Sequence, residues 1–264
     1  MAGFFPESLR VFRSSPSAGP IDVLIVGGTW NPNGEGVTRT FSAALEPARY
    51  RTSMVPYPAD YGGTVPYADS VHVGRDALIA AVKSAPGQVI LAGYSQGAAV
   101  AGDIAAAVGR GELDLPAVIA CALIADPRRP QGHCVGADPG GYGIAGQRDI
   151  PGIRTFWAAA PGDPITALPA GNPLRTVADL SAYFGLSSPE AAARWGASLV
   201  DVAVRGQLQR WWSPANWRNW GGALAYARGY LVDGRHTEDY IRHGHLTRLA
   251  QALDRWVVEQ ATAR

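Results

Sequence analysis

Ser95, Asp163 and His236 follow one another in the order nucleophile, acid, base. A serine hydroxyl becomes a useful nucleophile only when a base takes its proton. An imidazole does this best when a carboxylate orients it and stabilises its cation. The chemistry of such a set is attack on a carbonyl carbon through a covalent acyl intermediate. Ser95 lies in Gly93-Tyr94-Ser95-Gln96-Gly97, after the apolar run Val89-Ile90-Leu91-Ala92 and before the Ala-rich stretch 98–108. Strand, sharp turn and helix is the setting of a nucleophile elbow. The same residues also fit a plain strand-to-helix turn with Ser95 as helix cap. That second reading leaves the glycine on each side of the serine unexplained.

Asp163 sits in Ala160-Pro161-Gly162-Asp163-Pro164-Ile165, a turn just past an expected strand, where an acid of this kind belongs. A turn aspartate bonded to its own backbone is the alternative. Three histidines follow it: His236, His243 and His245. His236 follows the turn Asp233-Gly234-Arg235 and is the first choice, because a base on a loop can reach the serine. His245 is second and His243 last, since both fall inside an expected helix and, two apart, point in different directions. His72 and His133 precede Asp163 and break the order.

The oxyanion formed on attack needs two or more donors. The backbone N–H of Gln96, at the start of the helix, is one expectation. Thr29, in the loop Gly27-Gly28-Thr29-Trp30 after the first strand, is the other. Trp30 and Tyr94 are candidate substrate contacts. The five histidines and two cysteines have no His-x-x-x-His or Cys-x-x-Cys spacing, so no metal is expected. No cofactor is required by this chemistry. Cys121, in an apolar run, and Cys134, in a Gly/Pro-rich segment, read as two free thiols or as a disulfide.

The elements that must position these residues alternate. Strands are expected at Ile21–Val26, Arg51–Tyr57, Val89–Ala92, 117–125 and Gly152–Trp157, with helical stretches at Gly34–Leu45, Ser70–Lys83 and 98–108 between them. Such alternation implies a parallel sheet covered by helices on both faces. Ligands then bind beyond the carboxyl ends of the strands, where Thr29, Ser95 and Asp163 all fall. The pattern changes after Asp163. From about 177 to 231 no strand is expected, Ser188-Pro189 opens a helix, and 217–231 forms another. A closing helix is expected over about 238–260. The domain reading is an N-terminal arm over 1–20, a catalytic core over 21–170 and 232–264, and an inserted helical subdomain over 171–231.

The 264 residues, 47% hydrophobic and 17% charged, fit one large α/β domain with an insertion. A net charge of +1 implies no nucleic-acid or anionic-membrane partner. No window approaches the ~20 apolar residues of a membrane span. The first 20 residues lack a basic start followed by an apolar run, so they do not read as a signal peptide. They are also too few for a separate binding domain.

Several segments together resemble the cutinase-type serine esterases of the α/β-hydrolase fold. They are Gly27-Gly28-Thr29, Val55-Pro56-Tyr57-Pro58-Ala59, Ser70 with Gly74, Gly93-Tyr94-Ser95-Gln96-Gly97, Gly162-Asp163-Pro164 and His236. The chain departs from small cutinases in one respect: 73 positions separate Asp163 from His236. That layout resembles the lysin B esterases of mycobacteriophages, which carry a helical linker domain between acid and base. The resemblance implies a monomeric serine esterase that cleaves the ester joining mycolic acids to arabinogalactan. Its partner would be that mycolylated glycolipid. The protein would be made in the host cytoplasm and act on the envelope after release at lysis.

Five of the eight tryptophans, Trp195, Trp211, Trp212, Trp217 and Trp220, crowd the expected insertion. Trp211 and Trp212 are candidate contacts for a long acyl chain, although tryptophans packing a small helical core explain the same crowding. Three other functions compete: a general cutinase- or lipase-like esterase, an acyltransferase, and a non-catalytic cell-wall-binding protein on a hydrolase scaffold. The last has no use for the complete Ser, Asp and His set.

Overall fold

Apolar runs that can bury both faces become the central strands of a parallel sheet. The computed structural model describes residues 19–61, 64–172, 174–175 and 234–263. Within them the order is β1 (Ile21–Val26), α1 (Val37–Ala43), β2 (Tyr50–Met54), α2 (Tyr67–Ser84), β3 (Val89–Tyr94), α3 (Gln96–Gly109), β4 (Val118–Ile124), β5 (Arg154–Ala158), α4 (Glu238–Arg242) and α5 (His245–Thr262). The five strands pair in parallel in the order β2-β1-β3-β4-β5. All residues of β1 and β3 are buried.

Side chains alternate across each strand, and the core divides accordingly. Val23, Ile25, Ile90 and Ile124 face a layer containing Phe41 of α1 and Leu246, Leu249 and Leu253 of α5. Leu24, Val26, Leu91 and Leu123 face the other layer, with Leu78 of α2 and Val100 and Ile104 of α3. Helix α5 buries Leu246, Leu249, Ala250, Leu253 and Val257, one stripe at helical spacing. Helices thus cover both faces, as the alternation implies.

From β1 the chain crosses one way to β2, and β3 then lies on the other side of β1. This reversal opens a crevice at the carboxyl ends of β1 and β3. The loop carrying Thr29 and the turn carrying Ser95 flank it. Beyond β4, the long segment before β5 is pinned by Arg129. That guanidinium is fully buried and donates to the carbonyls of Thr166, Pro130, His133, Gly140 and Gly141 and to Asp138.

Two expectations are corrected. The closing helix is not continuous: Gly244, at φ +67 in the left-handed region, separates α4 from α5. Strand β2 stops at Met54 rather than Tyr57. Val55 still donates to the Ile25 carbonyl, but Pro56 and Pro58 have no N–H with which to extend the ladder. The 1–20 arm, the 171–231 insertion and its tryptophans, including Trp211 and Trp212, lie almost wholly outside the described residues.

Candidate active site

Ser95 follows β3 in a strained backbone, φ +56 and ψ −117, immediately before α3. The turn explains its flanking glycines by contact. A Cβ on Gly93 would stand 2.2 Å from the Gly97 carbonyl oxygen, and one on Gly97 would stand 2.1 Å from the Val26 carbonyl oxygen. No side chain fits at either place. The Ser95 N–H donates to the Ile124 carbonyl at 2.9 Å, which ties the turn to the end of β4.

Asp163 lies in the turn beyond β5 and is fully buried. Its Oδ1 accepts the Ile165 N–H at 3.0 Å. His236 lies between Gly234 and α4, close to 5% exposed. Its Nδ1 is 3.0 and 3.1 Å from the two Asp163 oxygens, and its Nε2 is 2.9 Å from Ser95 Oγ. An ionised carboxylate only accepts, so Nδ1 carries the hydrogen and the Nε2 lone pair faces the hydroxyl. The fold therefore brings together three residues from distant parts of the chain in the geometry a nucleophile and base need.

His243 and His245 sit elsewhere. His243 is exposed and lies 3.6 Å from Asp239 across one turn of α4. His245 begins α5, with its ring 5.6 Å from that of Tyr240 and its Nδ1 3.2 Å from Arg248. Burial, then the Arg248 charge, lowers the His245 pKa. These residues line a pocket of about 610 Å³ with Pro161, Arg235, Asp239 and Arg248. It lies beside the His236 loop and does not include Ser95.

Gln96 is the first residue of α3, where a helix leaves its N–H groups without intrahelical partners and concentrates positive dipole. Its side chain is buried and committed elsewhere. Nε2 donates to the Asp60 carbonyl at 2.9 Å. The Tyr57 hydroxyl lies 3.1 Å from Gln96 Oε1 and 2.7 Å from the Gly27 carbonyl. Thr29 is half-buried in the loop after β1. That loop passes against the serine: a Cβ on Gly28 would stand 2.7 Å from the Tyr94 ring and 3.3 Å from Ser95 Cβ.

Trp30 follows at φ +57 and is 73% exposed. Its N–H donates to the Ala59 carbonyl at 2.6 Å, and its indole donates to Asp60 Oδ1 at 3.4 Å. Asp60 also accepts from the N–H groups of Tyr61, Thr64 and Val65 and from the Thr64 hydroxyl. The Val65 N–H above all, with the Thr64 donors and the Tyr61 N–H, holds its carboxyl well below the usual carboxylate range. Asp60 was not expected as a site residue. Its only sequence signal is a carboxylate beside Gly62-Gly63, as in many turns.

Tyr94 is placed differently from the expectation of a substrate contact. It is buried, its ring stacks on His236 at 5.2 Å, and its hydroxyl donates to the His236 carbonyl at 2.8 Å. It braces the histidine from beneath, because a residue adjacent to the nucleophile on β3 points into the layer that α5 covers. Tyr240 was also missed. Its hydroxyl lies 2.7 Å from Asp163 Oδ2.

Both cysteines are free thiols; Cys121 is fully buried in β4 and Cys134 half-buried. Burial pushes both thiols up, against a nucleophilic role. Among the described residues no group of three His, Cys, Asp or Glu is placed to hold a metal ion. No helix among them is long and apolar enough to cross a membrane.

A family model described as the alpha/beta hydrolase family matches residues 23–263. Among solved structures, the chain is similar to lysin B from mycobacteriophage D29, with 18% identity, a TM-score of 0.52, and coverage of 80% of this chain and 87% of that one. It is also similar to a cutinase-like protein from Cryptococcus sp., with 21% identity, a TM-score of 0.46, and coverage of 70% and 91%. A third similar structure is Trichoderma reesei cutinase, with 19% identity, a TM-score of 0.32, and coverage of 69% and 75%. At such identities the lysin B likeness speaks for the fold. A search of curated proteins found no match.

Proposed function

The chain belongs to the alpha/beta hydrolase family, and from that premise we propose that it is a serine esterase. Its substrate in this reading is the ester joining mycolic acids to arabinogalactan in the mycobacterial envelope, cleaved in the service of phage lysis. The observation that carries the esterase reading is the hydrogen-bond chain from Ser95 Oγ through His236 to Asp163, at 2.9 and 3.0 Å.

The steps follow from that chain. Ser95 Oγ attacks the ester carbonyl as His236 Nε2 takes its proton. Asp163 orients the ring and stabilises the imidazolium. The oxyanion forms at the N-terminus of α3, beside the Gln96 N–H, with the Thr29 loop as the second source of donors. His236 returns the proton to the departing sugar hydroxyl. Water, activated by the same histidine, then hydrolyses the acyl-enzyme and releases the free acid. The residues supply nucleophile, base and electrostatic stabilisation themselves, and the route needs no cofactor.

The mycolyl substrate rests on the motif resemblance and on the separation of Asp163 and His236 by 73 positions. The fold likeness to a mycobacteriophage lysin B agrees with it. In this reading the exposed Trp30 ring at the rim offers an apolar surface to an acyl chain. Trp211 and Trp212 are the further proposed contacts. The enzyme acts as a monomer, is made in the host cytoplasm, and reaches the envelope on release.

The test is free mycolic acid released from purified mycolyl-arabinogalactan, followed by chromatography for the wild type and Ser95→Ala. Release by the wild type alone is the expected result. Cleavage of short p-nitrophenyl esters without mycolic acid release would overturn the substrate and leave a general esterase. Cleavage of neither by the wild type would overturn the esterase reading.

A further inference from the structure

The acid of the site has a partner beyond the histidine. Tyr240 is fully buried on α4, four residues after His236. Its hydroxyl accepts the Ala160 N–H at 3.1 Å and lies 2.7 Å from Asp163 Oδ2. These two contacts fix the direction of its proton. The amide can only donate, so the phenol lone pair serves Ala160 and the phenol hydrogen points at the carboxylate.

Among the described residues, Asp163 thus accepts from three protein donors: the Ile165 N–H on Oδ1, the Tyr240 hydroxyl on Oδ2, and His236 Nδ1 between the two oxygens. A fully buried carboxylate needs such donors to remain ionised. The Ile165 N–H is local to the acid's own turn, and Tyr240 is the donor that ties the acid to the segment carrying the base by a contact other than the base itself. Tyr240 begins its hydrogen bond one helical turn beyond His236, so the same bond that saturates Asp163 also clamps the His236 loop over it.

We propose that Tyr240 is a positioning residue of the esterase site, a fourth member of the chain Tyr240–Asp163–His236–Ser95. It acts through Asp163. By sharing its proton with Oδ2 it draws charge away from the carboxylate that His236 Nδ1 faces. It also sets the angle at which Nε2 meets the serine. Burial and the Asp163 charge both push the Tyr240 phenol upward, so it stays a donor across the working range. Among the described residues, the titratable groups that face this chain include Tyr94 from β3, against the His236 ring, and His245 from α5, against the Tyr240 ring. Arg235 lies over Gly162 at the edge of the same turn.

The inference rests on the serine esterase reading for its kinetic test and on geometry alone for its spectroscopic one. Tyr240→Phe keeps the ring and removes the hydroxyl. The expected result is a fall in kcat on a p-nitrophenyl ester of roughly ten- to hundredfold, the scale of losing an outer partner of a reactive imidazole. KM should hold, and the acid limb of the kcat/KM profile should move to higher pH, because an undersaturated Asp163 holds the imidazolium proton more tightly. Tyr50→Phe is the control, since it also removes a phenol hydroxyl bonded to a carboxylate, at Asp254, away from the site. It should leave the limb unmoved. Site-specific 3-fluorotyrosine at 240 preserves the fold and makes the phenol a stronger donor, so it should move the limb to lower pH.

The downfield proton resonance of His236 Nδ1–H reads the same bond without substrate. It should shift in Tyr240→Phe and be absent in His236→Ala. An unmoved limb and an unmoved resonance in a folded Tyr240→Phe would overturn the proposal and leave Tyr240 as a packing residue. A shifted resonance in a protein that cleaves no ester would overturn the esterase reading while supporting the hydrogen-bond chain.

Discussion

The two flanks of Ser95 are built differently. Towards β5, the acid–base flank consists of side chains bonded to one another: His236 to Asp163, Asp163 to Tyr240, and Tyr94 to the His236 carbonyl. Towards β1 and β2, the proposed oxyanion flank is a set of backbone segments tied by side chains, with Gln96 and Tyr57 binding the carbonyls of Asp60 and Gly27 and the Asp60 carboxylate gathering the N–H groups of its own loop. The first flank holds reacting atoms directly. The second holds the backbone near which charge will develop. Substitutions on the first should therefore remove chemistry from a folded protein, whereas those on the second should change geometry and stability together.

The largest effect expected is His236→Ala. Loss of the base should lower kcat on a p-nitrophenyl ester by about 10⁵–10⁶, as removing one member of a nucleophile–base pair does. His245→Ala should leave the rate within about twofold, because its contacts are to Arg248 and the Tyr240 ring. A comparable loss in both variants would break the division between the flanks, since it would extend the reacting set into α5.

Gln96→Ala should be smaller and mixed. Its side chain touches no reacting atom, yet it spans Tyr57 and the Asp60 carbonyl within the core. Truncation orphans buried polar groups and should cost about 1–3 kcal/mol of stability by denaturant unfolding. The loop carrying Thr29 would lose one of its supports, and kcat should fall roughly tenfold with KM little changed, the signature of a weakened transition-state contact. A normal rate in a destabilised protein would show that the oxyanion flank keeps its geometry without this brace.

These contrasts also mark what was legible in the sequence. The apolar runs 21–26 and 89–92 had to be strands, and Gly93 and Gly97 around Ser95 reported a strand and helix too close for any side chain. Ser95 and Asp163 were legible as polar residues just past apolar strands, and His236 as a histidine on a loop, after the turn Asp233-Gly234-Arg235 and in the expected chain order. The braces were not. Tyr94 and Tyr240 are aromatic residues in apolar settings, and their hydroxyl partners lie 142 and 77 positions away. Whether such a ring faces a substrate or a histidine depends on which layer covers its strand. Gly244 was legible as a glycine, but only its backbone angle makes it the break between α4 and α5.

The smallest effect expected concerns Asp60, an ionised group on the oxyanion flank. Five described donors surround its carboxylate, and four of them, the Val65 N–H first, then the Thr64 hydroxyl and N–H and the Tyr61 N–H, hold its pKa below the ordinary value. A group depressed in the folded state contributes stability that is fully present above its unfolded pKa, near 3.9. That contribution is lost as pH falls through the folded value. Asp60→Asn keeps the shape but replaces one charged oxygen by an amide donor facing donors. Its melting temperature should lie a few degrees below wild type at pH 7. The gap should narrow below about pH 4, where the carboxylate of the unfolded wild-type chain begins to take up its proton while the folded one stays ionised. Activity near pH 7 should drop less than in Gln96→Ala, because the Asp60 carbonyl that Gln96 grips remains. A gap that stays constant down to pH 2 would show that charge is not what holds this flank. The loop beneath Trp30 would then be a packing device, and the two flanks would differ only in which atoms they present to the serine.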